Sequence, residues 1–479
     1  MNVRELFSDH NLDKSLGQKT VKGICDDSRS LKDGELFFVR RRKNFDIFSV
    51  LAKVEQKALA LVADAKDKIK VKKVVRKAAV IFVKDVEKEF HRVAERFYKW
   101  DKNNLQVIGV TGTNGKTTVT NLIYYFLKKL AKEASLVGTV NYCIAGKKKK
   151  GTHTTPDYLS LRKLIAEAEK ARARYMVMEV SSHGAAQERI KGIEFSHCVF
   201  TNLSRDHLDY HKTMESYFNA KKSFFLNNKD AVFIINIDDP YGKKLAELNK
   251  NAITYGLRQG AKLCAKNIKL GRRQTTFDIV WKSKAWRVRS ALVGEHNVSN
   301  VLAALATLFS LGFSPRDVIG HSSSFPSVEG RLEEVGADVF IDYAHTPDAL
   351  EKVLLALKDI GYANTVCVFG CGGQRDKGKR LLMGAIADKY TTFSFITSDN
   401  PRNEDPLKIC EQVKKGFKKN NYAVILKRKD AIKEALKLKP RLKNSCVLVA
   451  GKGHERYQTI KNKNIPFSDS KVIRAAMKS

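Results

Sequence analysis

Between residues 107 and 118 the chain reads VIGVTGTNGKTT. An apolar run ends in a Gly/Thr/Asn turn that delivers Lys116, Thr117 and Thr118 to the start of a segment with Val119, Leu122, Ile123, Phe126, Leu127 and Leu130 on one helical face. A glycine-rich turn between a strand and a helix N-terminus favours an anion, because unpaired N–H groups point outward and the helix dipole adds positive potential. Gly112, Thr113, Asn114 and Gly115 would cradle phosphate oxygens, Lys116 would meet the terminal phosphates, and a threonine hydroxyl would serve Mg²⁺. The spacing Gly112-x-x-Gly115-Lys116-Thr117 is two residues shorter between glycines than the usual P-loop. A plain glycine turn with a solvated lysine is the alternative.

Three further stretches carry chemistry of the same kind. The apolar run 175–180 (YMVMEV) places Glu179 near a strand's carboxyl end, followed by Ser181, Ser182 and His183. Ligands of open α/β sheets bind at such ends, and an acid there suits Mg²⁺, which takes hard oxygen ligands and keeps several waters. The run 198–203 leads likewise into Asp206, His207, Asp209 and His211. Beyond it Met214, Tyr217, Phe218 and Phe225 form a helical stripe with Lys221 at its centre. A buried ammonium tends to lose its proton, and the neutral amine can take up CO₂ as a carbamate able to hold Mg²⁺. A lysine whose head reaches solvent is the competing reading. Polar groups at 236–239 and 294–297, including Asn297, could hold the base and ribose of a nucleotide or simply cap helices.

From about residue 329 a second α/β pattern has strands that each end in a polar cluster: 342–345, 370–375, 399–402 and 451–455. Arg375 and Arg402 can fork onto carboxylates, while Asp399 and Glu455 can hold ammonium groups. A ligand bearing both kinds of group at both ends fits that set better than a plain amine. The alternative for Arg402 is a pair with Glu404 or Asp405 nearby.

The elements that must position these groups follow from length and pattern. A chain of 479 residues with 43% apolar residues and 9 prolines is globular, with room for about three domains. Strand-like runs at 36–39 and 58–62 and a helical run at 86–100 make the first piece a small α/β unit. There Asp27-Ser28-Arg29 forms a polar turn that either reaches a ligand or closes a local Asx hydrogen bond, and the basic run 40–43 reads as a solvated strand end. After the P-loop helix a hairpin is expected at 135–143, then a solvated loop at 146–151 carrying Lys147 to Lys150. The formal charge of +37 admits nucleic acid or polyanionic small substrates as partners, but scattered lysines read mainly as a solvated surface. No aromatic-and-basic stacking surface supports the rival reading, a nucleic-acid-dependent P-loop ATPase. Eight cysteines without a CxxC imply a reducing compartment. A charged N-terminus and the lack of any apolar run near ~18 residues imply a soluble, cytoplasmic protein without membrane insertion.

Taken in order, GTNGKTT, MEVSSH, DHLDYH, the Ala220-Lys221 pair, GEHNVSNVLAALA, GRLEEV, DYAHTPDAL, GCGGQRDKGKR, DNPR and AGKGHE resemble the Mur ligases over essentially the whole chain, and within them the tripeptide-forming branch. The resemblance implies three α/β domains: 1–103 for a UDP-sugar, 104–328 with a central P-loop ATPase-like sheet, and 329–479 with a Rossmann-like sheet for an amino acid. It implies ATP on residues 112–118 and Asn297, Mg²⁺ near Thr117, Glu179, His207 and a carbamylated Lys221, and nucleotide-sugar contacts at Ser28, Thr154, Thr155, Ser181, Gln187 and Arg189. Lys116, Lys221, Glu179 and His207 would be catalytic. The incoming amino acid would meet Arg375, Asp399, Asn400, Pro401, Arg402, Gly451 and Glu455. The DNPR form goes with meso-2,6-diaminopimelate, added to UDP-N-acetylmuramoyl-L-alanyl-D-glutamate by a monomeric, ADP-forming ligase of peptidoglycan precursor synthesis. A lysine-adding relative or a folylpolyglutamate synthetase would differ in the acceptor pocket. Residues 40–45 (RRRKNF) depart from the small, glycine-containing segment usual there, which puts the uridine contacts beyond Ser28 in question.

Overall fold

The computed structural model describes the whole chain except residues 43, 44, 102, 462 and 479, so part of the expected basic run at 40–45 lies outside the described residues. The chain divides into two compact units, residues 1–105 with 156–172 and 188–193, and residues 106–155, 173–187 and 194–479.

In the first unit Gly23–Cys25, Glu35–Phe38, Ala60–Asp64 and Val80–Val83 pair in that order as a four-stranded parallel sheet. The two expected strands are its centre. The outer two escaped notice because three and four residues are too few to show a period. The helix Val86–Phe97 starts at Asp85, whose side chain accepts from the amides of Glu87 and Lys88, and buries Phe90 and Val93 against Phe38 and Val62. It stops at Phe97, short of the expected residue 100. The described part of the basic run is paired, not free in solvent. Arg40 bonds Asp26 at 2.7 Å and lies over the Phe90 ring, Arg41 bonds Asp67, and Arg42 bonds Asp26. Acids distant in sequence supply the partners, so a local reading could not find them.

The second unit holds two large sheets. An eleven-stranded sheet runs from Lys284–Ser290 at one edge to Lys147–Lys150 at the other, with the P-loop strand Gln106–Thr111 between His197–Phe200 and Tyr175–Glu179. All neighbours of that strand are parallel, and its residues 107–111 are buried. The helices Lys116–Lys129 and Glu295–Ser310 pack over one face, where Ala303, Ala304 and Ala306 allow close approach. The expected hairpin forms between Ala134–Val137 and Asn141–Ile144. The expected lysine loop does not: Lys147–Lys150 is a strand, antiparallel to Asn141–Ile144, with all four side chains exposed. Lysine has low strand propensity, but on a sheet edge it discourages pairing with another chain. The six-stranded sheet orders Glu333–Gly336, Val339–Asp342, Ser445–Ala450, Asn364–Phe369, Phe393–Ile396 and Tyr422–Val424, parallel except at its first pair. Among the described residues no helix is long and apolar enough to cross a membrane.

Arg428 and Asp469 form a fully buried ion pair, with Nε and Nη2 each 2.8 Å from a carboxylate oxygen and Nη2 also 2.9 Å from the Ala450 carbonyl. The pair ties two helices to the strand end that precedes Gly451. Arg428→Ala strands the aspartate, and urea unfolding should read a loss of about 3–5 kcal/mol, whereas Arg428→Met with Asp469→Leu should recover most of it. His197 provides a pH test. Burial pushes its pKa down to about 4. An unfolded histidine titrates near 6.5, so between about pH 6.5 and 4 the unfolded chain binds a proton the native chain refuses, and stability falls as pH falls. At pH 5 this group should account for about 2 kcal/mol relative to pH 7. Unfolding of His197→Gln at both pH values should show that part of the slope gone.

Candidate functional site

The phosphate-type loop is built on backbone only glycine adopts readily. Gly112 and Gly115 have φ of 148° and 86°, and a Cβ would collide with the Thr201 hydroxyl at the first and the Asn300 amide at the second. The Asn202 carbonyl and side chain accept from the Thr113 and Asn114 amides at 2.8 and 2.9 Å, while Thr201 Oγ1 donates to the Asn114 carbonyl at 2.6 Å. The helix after Gly115 opens without a side-chain cap, leaving its first amides for a ligand. Lys116 curls back so that Nζ donates to the carbonyls of Gly112 and Thr113 at 2.9 and 2.8 Å, and burial lowers its pKa against the pull of Glu179.

Glu179, fully buried at its strand's end, accepts from Thr117 Oγ1 at 3.1 Å, the Thr139 amide at 2.7 Å and Thr139 Oγ1 at 3.0 Å. Arg331 Nη2, from the start of the second sheet's region, donates to Thr117 Oγ1 at 2.9 Å. Thr155 Oγ1 bonds the Glu179 carbonyl and Ser181 Oγ at 2.9 and 3.0 Å, and Thr154 Oγ1 lies 3.0 Å from Thr139 Oγ1. A hydroxyl-rich wall therefore surrounds one carboxylate.

Lys221 is 1% exposed, so the solvent-reaching alternative is excluded. Its Nζ donates to the Gly112 carbonyl at 2.8 Å and sits 4.6 Å from the Tyr217 ring centroid, and burial with nearby Lys116 drives its pKa well below normal. His207 turns instead to Asp206, 3.3 Å away, and burial pulls its pKa down to about 3, which keeps the ring neutral. The desolvated Asp206 carboxylate stays anionic because the hydrogen bond from His345 and the charge of Lys379 outweigh its burial. Both partners come from the region of the six-stranded sheet.

Residues 113–118, Glu179, Asp206 and His207, though not Lys221, line a cavity of about 760 Å³ with Asn297, His296, Arg331 and His345 on its walls. Asn297 accepts from Asn300 at 3.0 Å and donates to the Val293 carbonyl at 2.9 Å. Of the expected metal-binding set, Thr117 and Glu179 are in direct contact, Lys221 bonds the loop they flank, and His207 is engaged by Asp206. Among the described residues no three His, Cys, Asp or Glu side chains converge into a cage. A hard-oxygen pair beside a phosphate loop fits an ion that keeps several waters, and so fits Mg²⁺.

Several of the residues expected to meet the amino acid also lie together. Asn400 Nδ2 donates to Glu455 Oε2 at 2.9 Å, and buried Asp399 leaves Oδ2 without a hydrogen-bond partner, facing the space a Cβ on Gly451 would enter. Arg402, with φ of 53°, does not pair with Glu404: its Nη1 donates to the Gly373 carbonyl at 2.7 Å, and Glu404 is held by Arg380 at 2.9 Å. The hairpin Tyr457–Ile460 with Lys463–Pro466 pins this turn through Arg402 N to Thr459 O at 3.0 Å and Lys461 N to Arg402 O at 2.8 Å. Burial lowers the pKa of Arg402, with repulsion from Arg375 adding to it, and Arg375 reaches Asp209 at 3.7 Å.

The six expected nucleotide-sugar residues divide. Ser28 and Arg189 belong to the first unit, and Thr154, Thr155, Ser181 and Gln187 to the second. Beside Ser28, the Arg29 amide and guanidinium close on Asp27, whose pKa drops to about 2 largely for that reason. The local Asx hydrogen bond is therefore present. Sequence reasoning gave no role to Thr139, Arg331 or Lys452. Arg331 lies in the GRLEEV run, but nothing in its spacing announces a bond to Thr117, 214 positions away.

The family model "Mur ligase middle domain" matches residues 110–308, and "Mur ligase, glutamate ligase domain" matches residues 330–453. A Clostridium acetobutylicum protein named "UDP-N-acetylmuramoyl-L-alanyl-D-glutamate--2,6-diaminopimelate ligase 1" is 37% identical over 99% of this chain and 98% of its own. An Aquifex aeolicus protein of the same name, without the numeral, is 38% identical over 97% and 95%. A solved structure carrying that enzyme's name superposes with a TM-score of 0.66 at 29% identity, covering 100% of this chain and 99% of the other. With both domain models matched in order and full-length relatives this similar, the chain belongs to the Mur ligase family.

Proposed function

We propose that this chain uses ATP to join meso-2,6-diaminopimelate to UDP-N-acetylmuramoyl-L-alanyl-D-glutamate, releasing ADP and phosphate, in the synthesis of peptidoglycan precursor. The observation that carries this reading is the presence, within one compact unit, of a phosphate loop, a buried Glu179 and a cluster of two arginines and two carboxylates. Full-length relatives whose names specify that reaction support it. The reading divides the chain into a UDP-sugar domain at 1–103, an ATP domain at 104–328 and an amino-acid domain at 329–479.

A carboxylate is a poor electrophile at neutral pH. An oxygen of the D-glutamate γ-carboxylate attacks the γ-phosphorus, the bond to the β,γ-bridging oxygen breaks, and ADP leaves. The neutral amine of the diamino acid then attacks the acyl phosphate carbon, and the tetrahedral adduct expels phosphate and loses a proton. The protein's part is mainly placement and charge. Gly112 to Thr118 receive the phosphates, Lys116 moves from its carbonyls to them, and Asn297 faces the nucleoside. Thr117, Glu179, His207 and Lys221, as a carbamate formed with CO₂ and loss of a proton, would hold Mg²⁺, which supplies charge neutralisation on the phosphates. Thr154, Thr155, Ser181 and Gln187 orient the sugar-peptide. Arg375 and Arg402 take carboxylate, Asp399 and Glu455 take ammonium, and Asn400, Pro401 and Gly451 shape the turn between them.

Phosphate release measured with UDP-N-acetylmuramoyl-dipeptide, ATP and Mg²⁺ should depend on meso-diaminopimelate far more than on L-lysine or glutamate. Preference for either of those amines would reassign the acceptor, and stimulation by nucleic acid without the sugar-peptide would overturn the ligase reading. Lys116→Ala should lower kcat about 10²–10³-fold with an unchanged melting temperature. Arg402→Ala should lower kcat/KM for diaminopimelate by at least about 30-fold while sparing KM for ATP, as loss of a buried charged contact does.

A further inference from the structure

Between Gly451 and Gly453, whose φ values of 110° and 50° turn the backbone sharply, Lys452 is directed into the protein and is 0% exposed. A Cβ at Gly453 would stand 2.7 Å from the Gly330 carbonyl and 2.9 Å from Tyr343 Cβ, so only glycine fits the turn that follows the lysine. Burying an ammonium is unfavourable unless it is paired and its donors are used. Lys452 Nζ is 2.6 Å from Glu455 Oε2 and 3.2 Å from Asn400 Oδ1, with the Tyr457 ring centroid 5.8 Å away. Asn400 closes the triangle, since its Nδ2 donates to the same Glu455 Oε2 at 2.9 Å while its Oδ1 also accepts from the Thr459 amide.

Two consequences follow from that geometry. Both donors converge on one carboxylate oxygen, Oε2, and neither of them uses Oε1. An asparagine amide can also flip, and Lys452 joins the Thr459 amide in holding its oxygen, which leaves its nitrogen pointing at Glu455.

We propose that Lys452 is a positioning residue for the acceptor amine: it sets the orientation of Glu455 and Asn400, so that Glu455 presents one free oxygen beside Asp399 Oδ2 to an ammonium group of the incoming amino acid. This rests on the acceptor pocket proposed above and adds the group that orders it. The lysine touches no reactant, so its removal weakens acceptor recognition and leaves phosphate transfer intact.

The test uses the full-length enzyme with whichever amine the wild type consumes fastest, so a wrong acceptor assignment shows in the wild-type assay alone. Lys452→Met should raise KM for the amine 10- to 100-fold, change kcat less than about threefold, and leave KM for ATP and for the sugar-peptide within twofold. Glu455→Gln should raise the same KM, and Lys452→Met added to Glu455→Gln should raise it little further, because the lysine acts through the glutamate. The double variant also removes the stranded carboxylate, so it stays measurable if Lys452→Met alone folds poorly. An amine KM unchanged in Lys452→Met, a multiplicative effect in the double variant, or equal losses in all three KM values would each overturn the proposal.

Discussion

One buried carboxylate organises the centre of this molecule. Glu179 ends a strand with no exposure to solvent and gathers the first helical turn after the phosphate loop and the turn at Thr139, through three donors. An unpaired carboxylate there would be strongly unfavourable. Its neighbours must therefore stay in place, and the loop between Gly112 and Lys116 inherits that order. Thr117 transmits it onward, because its hydroxyl also receives Arg331 from the region that begins the second sheet.

Around this point the two sheets of the second unit are joined by polar contacts. Asn114 donates to Asp348 at 2.7 Å, Arg205 pairs with Asp376 at 2.9 Å, and Asp206 collects His207, His345 and Lys379. Such contacts exchange readily with water and ligand, unlike the apolar clusters that fill each sheet separately. The arrangement suits a chamber in which a nucleotide bound by one sheet meets a reactant bound by the other. On its walls Lys116 and Arg331 stand beside the phosphate loop, with Glu179 and Asp206 among the acids that face the same space.

Much of this was legible before any coordinates. The strand, turn and helix around Lys116 were written in apolar periodicity and glycine placement, as was the second sheet with its four polar strand ends. The helical stripe at Tyr217 and Phe218 marked Lys221 as a candidate for burial, and it is buried. Weaker signals failed for identifiable reasons. Lys147–Lys150 lacks any apolar residue, so its strand exists only because Asn141–Ile144 offers an edge. The arginines at 40–42 looked solvated because the acids that pair with them come from other strands and turns.

The sequence by itself determined the local devices: where a phosphate would sit, which acids and arginines end strands, and that the ordered motifs belong to one family. Only tertiary structure decided how those devices are connected. It put Arg331 on Thr117, handed Glu404 to Arg380 so that Arg402 is left to backbone carbonyls, and folded Lys452 beneath Glu455 and Asn400. The physical reason is range. Periodicity and capping act within a few residues and can be read along the chain, whereas a buried charge is satisfied by whichever group packing brings within about 3 Å, however far away it lies in sequence.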